Sequence, residues 1–183
     1  MGLIWPVAVA FWAVAEATFF FIVPDVLITV AVLRFGGAAG VRLAIVASVA
    51  AAAGGLAMWF WGHGDAEAAR RTVLMVPAIG PDLLARAHRE IAQNWFVHLV
   101  LGAVTGVPYK LYAVEAGAHG LTPFLFVPAS IAARLARFLV AVGLTALMSA
   151  ALTRLNKPEW RFRALALAWC LVYGTYFYIR AMA

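Results

Sequence analysis

Five long apolar stretches, at residues 3–33, 41–61, 95–117, 122–152 and 164–179, make up most of this 183-residue chain. A soluble domain of that size has too little interior to hide them from water. Only 12% of the residues are charged, against about 25% in an ordinary soluble domain. The surplus apolar surface needs a second apolar solvent, and a bilayer supplies it. The same pattern excludes a disordered chain, a coiled coil, a disulfide scaffold and nearly every soluble enzyme class.

The formal charge is +6, but no basic run is longer than Arg70-Arg71. Anionic lipid headgroups and the positive-inside bias explain that excess, so no nucleic-acid partner is expected. The single cysteine, Cys170, makes no intrachain disulfide. No Walker A, H-E-x-x-H, G-x-S-x-G or G-x-G-x-x-G motif occurs, and no Cys/His cluster stands out for zinc. Neither an enzyme nor a cofactor or metal is expected. The first 23 residues carry no Lys or Arg, unlike a signal peptide, and hold Glu16 within the apolar run.

A simple crossing needs about 20 residues, and 41–61 fits that. The stretch at 3–33 is too long and is interrupted by Pro24-Asp25. The stretch at 95–117 is interrupted by Gly106, Pro108 and Lys110. An apolar segment broken at a charge points to a re-entrant helix, tolerated where it lines protein or a wet cavity. Broken segment, whole helix, linker, broken segment, whole helix and a further helix then form a weak internal repeat. The expected units are 3–61, an amphipathic linker at 62–94, 95–152, and an extra helix at 160–181. In the linker, Asp65 to Val76 reads as one short helix, with Glu67 four before Arg71. A second begins at Pro81, with Leu84, Ala87 or His88, Ile91 and Trp95 forming a face that would lie on the membrane.

Orientation is divided by the basic residues. If both broken segments turn back, the loops divide six bases against five. If every stretch crosses, they divide eight against three, which satisfies positive-inside better. Both schemes put the N-terminus on the cytoplasmic side.

Ionisable side chains deep in apolar segments are costly, and by default they mark function. Glu16, Asp25, Lys110, Glu115, Arg134 and Arg137 qualify. Glu16 lies about 15 Å into a helix begun at Pro6, and Arg134 about 16 Å into one begun at Pro123, near the middle of a core about 30 Å thick. Arg134 and Arg137 share a helix face with Ser130, and arginine grips phosphate two donors at a time. Three acids and three bases also balance, so a purely structural network is an open alternative, as is Asp25 as a helix cap. His98 reads as packing, His63 and His119 as interface residues, and Trp5, Trp59, Trp61, Trp95 and Trp160 as an aromatic belt.

Two stretches carry a resemblance. One runs Ala15-Glu16-Ala17-Thr18-Phe19-Phe20-Phe21-Ile22-Val23-Pro24-Asp25-Val26-Leu27. The other runs Thr105-Gly106-Val107-Pro108-Tyr109-Lys110, then Ala116-Gly117, then Ala132-Ala133-Arg134-Leu135-Ala136-Arg137-Phe138. Together they resemble the DedA family of membrane proteins (the VTT or SNARE-associated domain), in particular its small YqaA-like branch, over about residues 10–145. One proline stands before Asp25 where two are usual, and Ala133 stands where a glycine is usual. The resemblance implies an all-α integral membrane protein with two opposed re-entrant hairpins, about three transmembrane helices and a pseudo-inverted repeat, in the bacterial inner membrane. It implies a flippase or scramblase for a phosphate-bearing lipid, such as undecaprenyl phosphate or a phospholipid, with protons as a coupling partner. Glu16 and Asp25 would be the site acids, Lys110, Arg134 and Arg137 the phosphate-binding bases, and Pro24, Gly106 and Pro108 the hairpin tips. Glu115 and Ser130 are secondary candidates. A proton-coupled exporter of small cations and a non-transporting scaffold are the alternatives.

Overall fold

In a computed structural model, residues 1–182 are described, except for the side chains of residues 103, 104, 180 and 181, Arg180 among them. The chain is 84% helical, with no strand among the described residues. The helices are α1 (Ile4–Thr18), α2 (Asp25–Phe35), α3 (Gly37–Gly64), α4 (Ala66–Val73), α5 (Pro81–Thr105), α6 (Tyr109–Ala118), α7 (Pro123–Arg154) and α8 (Arg161–Met182). Three helical segments, Gly37–Gly64, Pro123–Arg154 and Pro158–Ile179, are long and apolar enough to cross a membrane.

The most enclosed of these, α3, is the central pillar. Its inward positions are small: Ala44, Ala47, Ser48, Ala51, Gly54 and Gly55 are buried. Small residues let neighbouring backbones approach closely without a hydrophobic driving force between helices. The crossing with α6 uses this on both sides. A Cβ on Gly62 would strike the Val114 carbonyl oxygen, and one on Gly117 would strike the Trp59 carbonyl oxygen. Backbone cannot swing aside as a flexible side chain can. Gly117→Ala and Gly62→Ala are therefore each expected to lower stability by at least about 1–3 kcal/mol, the usual cost of overpacking. Thermal unfolding in detergent measures this, and an unchanged midpoint in both would contradict the packing.

Each broken segment folds back on itself. Trp5 at the start of α1 meets Phe35 at the end of α2, with ring centroids 5.2 Å apart, so α1 and α2 run antiparallel. His88 near the start of α5 meets Glu115 near the end of α6, while Gly102 packs on Tyr112, so α5 and α6 do the same. The first pair opens toward the start of α3, where Val32 packs at Gly40. The second opens toward its end, where Val114 packs at Gly62. The two turns meet between these levels, and there Lys110 Nζ donates to the Phe20 carbonyl at 2.7 Å.

Local chemistry explains the turns. Gly106 ends α5 in the left-handed region (φ +80°), and Pro108 then resists continuation into α6. The first break runs from Phe19 to Pro24, longer than the Pro24-Asp25 interruption read from sequence. Its backbone groups find side-chain partners: Lys110 on Phe20 O, Trp12 Nε1 on Ile22 O at 2.8 Å, and Tyr173 Oη accepting from Val23 N at 2.8 Å. Irregular backbone in an apolar setting is stable only when so satisfied.

The linker differs from expectation. Its first helix is shorter, capped by Asp65 Oδ1 on Ala68 N at 2.9 Å, and Glu67 pairs with Arg70 rather than Arg71. The second is no separate interfacial helix. It continues as α5 into the third apolar stretch through a kink at Asn94. Its buried stripe is Leu83, Ala87, Ile91 and Leu99, so protein rather than lipid covers much of that face. Trp59 is likewise buried, stacked on His63, and does not belong to an aromatic belt.

Candidate functional site

The charges from the middle of the apolar stretches come together where the two turns meet. The α1 carboxylate Glu16 pairs with Arg134 of α7, both side chains almost fully buried. Asp25 accepts from Arg137 Nη2 at 2.9 Å. Asp25 is the first residue of α2, one position after its N-cap Pro24. Arg134 and Arg137, one turn apart on α7, each face a carboxylate that offsets their mutual repulsion. The Arg134 guanidinium also lies over the Tyr109 ring, 4.8 Å from its centroid, and over Phe138 at 5.3 Å. Its Nε and the Ser130 hydroxyl above it make no hydrogen bond among the described residues.

Lys110 completes the group from the first turn of α6. It is 2% exposed, and among the described residues no carboxylate lies within 4 Å of its ammonium. Its single hydrogen-bond partner there is the Phe20 carbonyl. A carbonyl dipole does not neutralise a full charge, and a buried cation is costly unless an anion balances it.

Glu16, Lys110, Arg134 and Arg137 line a cavity of about 220 Å³, together with Gly106, Pro108, Tyr109 and Tyr112. Its outer wall is α8, through Trp169, Val172, Tyr173 and Tyr176. Trp169 Nε1 donates to Thr29 Oγ1 at 3.1 Å, tying that wall to α2. Sequence reading missed these aromatics. The spacing of Trp169, Tyr173 and Tyr176 along one helical face was the signal that could have found them.

Glu115 lies elsewhere. It is fully buried, held by Arg70 through Nε–Oε1 and Nη2–Oε2, both 2.8 Å, with His88 Nδ1 at 2.8 Å from Oε2. The six expected charges therefore divide. Glu115 is balanced by Arg70 of the linker, and the central group keeps two acids against three bases. The hydrogen bonds from Arg70 to Glu115, strengthened by Glu67, outweigh partial burial and push the guanidinium above its usual range. A third polar group sits beside these. Burial pushes Glu90 up, but hydrogen bonds from Tyr112 Oη and Arg86 Nε outweigh it and leave the carboxyl below its usual range. His98 Nδ1 lies 3.8 Å from Glu90 Oε1, beyond hydrogen-bond distance.

Such a site can hold one anion at Lys110 and between two pre-oriented guanidiniums, beside an aromatic wall. Compared with protein-family models, with curated proteins and with solved structures, the chain matches none.

Proposed function

We propose that the chain is a membrane lipid transporter, a flippase or scramblase, that takes a phosphate headgroup into the central cavity while the tail stays in the bilayer. The observation that carries this is Lys110: a buried cation at the cavity with no carboxylate within 4 Å among the described residues. A phosphate would supply the missing negative charge, with Arg134 and Arg137 already oriented beside it. The cavity is smaller than the ~300–1,000 Å³ of pockets that enclose a whole drug-sized ligand, which suits a headgroup rather than an entire lipid. The cation-exporter alternative has less support, because both acids already face arginines.

The membrane arrangement belongs to the same proposal. At about 1.5 Å per residue, α1 spans about 22 Å and α2 about 16 Å, neither enough for a core of about 30 Å. The α1–α2 and α5–α6 pairs would be re-entrant hairpins entering from opposite faces, followed by α3 and α7 as full crossings, in a pseudo-inverted repeat. This is the arrangement that the resemblance to the DedA family implies, along with a bacterial inner membrane and protons exchanged at Glu16 or Asp25, while the distribution of bases puts the N-terminus on the cytoplasmic side.

The test is a charge-preserving substitution. Arg137→Lys keeps the pairing with Asp25 but loses the planar fork. A charge-assisted hydrogen bond is worth roughly 1.5–3 kcal/mol, or about tenfold to over a hundredfold in affinity. Binding of a polyisoprenyl monophosphate is expected to weaken at least about tenfold while thermal stability stays near wild type. Unchanged binding would make Arg137 structural.

A further inference from the structure

Neither the central cavity nor lipid transport accounts for the cluster at the open end of the α5–α6 pair. There His88 of α5, Glu115 of α6 and His119, just past the end of α6, each offer one ligand atom, and these atoms lie within 4.8 Å of one another. The two imidazole centroids are 4.8 Å apart, tilted by 48°. We infer that His88, Glu115 and His119 form a site for a divalent transition metal of the zinc class, open to water on one side.

The donor set defines the class. Two imidazoles and a carboxylate suit zinc, cobalt or nickel, whereas magnesium and calcium prefer all-oxygen shells. Three protein ligands leave a fourth position for water. Zinc–nitrogen bonds of about 2.0–2.1 Å require the three ligand atoms to close up somewhat from their present spread. His88 can make that movement, since its side chain is 52% exposed. Glu115 cannot, and it provides the fixed point: its carboxylate is fully buried and clamped by Arg70 on both oxygens.

The outer contacts are those of a metal site. His119 Nδ1 sits 2.8 Å from the Glu115 backbone carbonyl. With Nδ1–H donating there, Nε2 carries the free lone pair, the arrangement that orients most metal-bound histidines. Arg70 Nε would keep Oε1 and fix the carboxylate from behind, while Nη2, now 2.8 Å from Oε2 and 3.4 Å from His88 Nδ1, would draw back as the metal takes Oε2. No spacing rule reveals such a set. His119 and Glu115 are four apart, but His88 lies 27 positions before Glu115, on the polar approach to the same apolar stretch, and Glu115 reads as a buried charge. The metal would staple the start of α5 to the end of α6, setting how rigidly that pair is held.

The test uses full-length protein with any affinity tag removed, stripped with chelator and titrated with zinc by calorimetry. One equivalent per chain is expected, with a dissociation constant in the micromolar range or tighter, and no signal from magnesium. His88→Gln and His119→Gln are each expected to weaken binding by more than about tenfold, the least that loss of a metal-supporting group costs. Absence of zinc binding, or a loss in neither variant or in only one, overturns the three-residue site. A measurement without variants checks the same point: cobalt-loaded wild type should show visible d–d absorption that zinc abolishes, and a colourless protein overturns the proposal. Lipid transport plays no part in either readout, so failure of the transport reading leaves this result interpretable.

Discussion

Glu16→Gln is expected to destabilise the protein by about 3–5 kcal/mol, the cost of leaving one member of a buried ion pair without its partner. Arg134 is 4% exposed, and its guanidinium has the Glu16 carboxylate as its ionic partner, with ring faces on its other sides. A carboxamide offers a hydrogen bond but no charge. The cost should therefore belong to the stranded arginine rather than to glutamate as such. A double variant separates the two: Glu16→Met with Arg134→Met removes both charges and keeps comparable volume. Replacing a whole buried pair by apolar residues is often neutral or stabilising. Chemical denaturation in detergent should show the single variant far below wild type and the double variant close to it. Equal loss in both would mean that the pair is not acting as a pair.

Lys110→Gln is expected to have the opposite profile, with a small effect on folding and a complete loss of transport. Glutamine keeps an N–H donor toward the Phe20 carbonyl on a side chain one atom shorter, so that hydrogen bond weakens, and Trp12 and Tyr173 still hold the first break. It removes a buried charge that no carboxylate among the described residues balances within 4 Å, which offsets part of whatever hydrogen-bond strength is lost. Stability should stay within about 1.5 kcal/mol of wild type, the scale of one ordinary hydrogen bond. With the positive charge gone, the central group has two acids against two bases and no remaining demand for an anion. Thermal unfolding and lipid translocation measured on the same preparation decide it. A folded Lys110→Gln protein that transports normally would place the anion elsewhere.

The contrast between Glu16 and Lys110 also shows what was legible in the sequence. All five central charges were conspicuous there, because each interrupts an apolar run and a charge in such a place is costly. Their pairing was not. Glu16 and Arg134 are 118 positions apart, and only the packing of α1 and α7 around α3 brings them together. Glu115 was misplaced for the same reason. Its partner Arg70 lies in the polar linker, and nothing local says that α4 folds up against α6. The second turn was readable because Gly106 and Pro108 carry their own backbone restrictions. The first was read too short, since Phe19 to Val23 contains no breaker. Those residues leave the helix because Trp12, Lys110 and Tyr173 accept the chain in that shape, a tertiary effect. The stripe on α5 shifted by one residue at its start, from Leu84 to Leu83, because the inward face is set by the core and not by the most apolar face in isolation.

Translocation in proteoliposomes tests the central claim most directly. Wild-type protein is reconstituted into vesicles carrying a fluorescent polyisoprenyl monophosphate or a zwitterionic phospholipid, and leaflet exchange is followed by quenching from outside. The expected result is exchange of the phosphate-monoester lipid well above that of empty vesicles and in preference to the zwitterionic lipid. Folded, correctly inserted protein that accelerates neither lipid, or both equally, would contradict a site built around the unbalanced charge of Lys110.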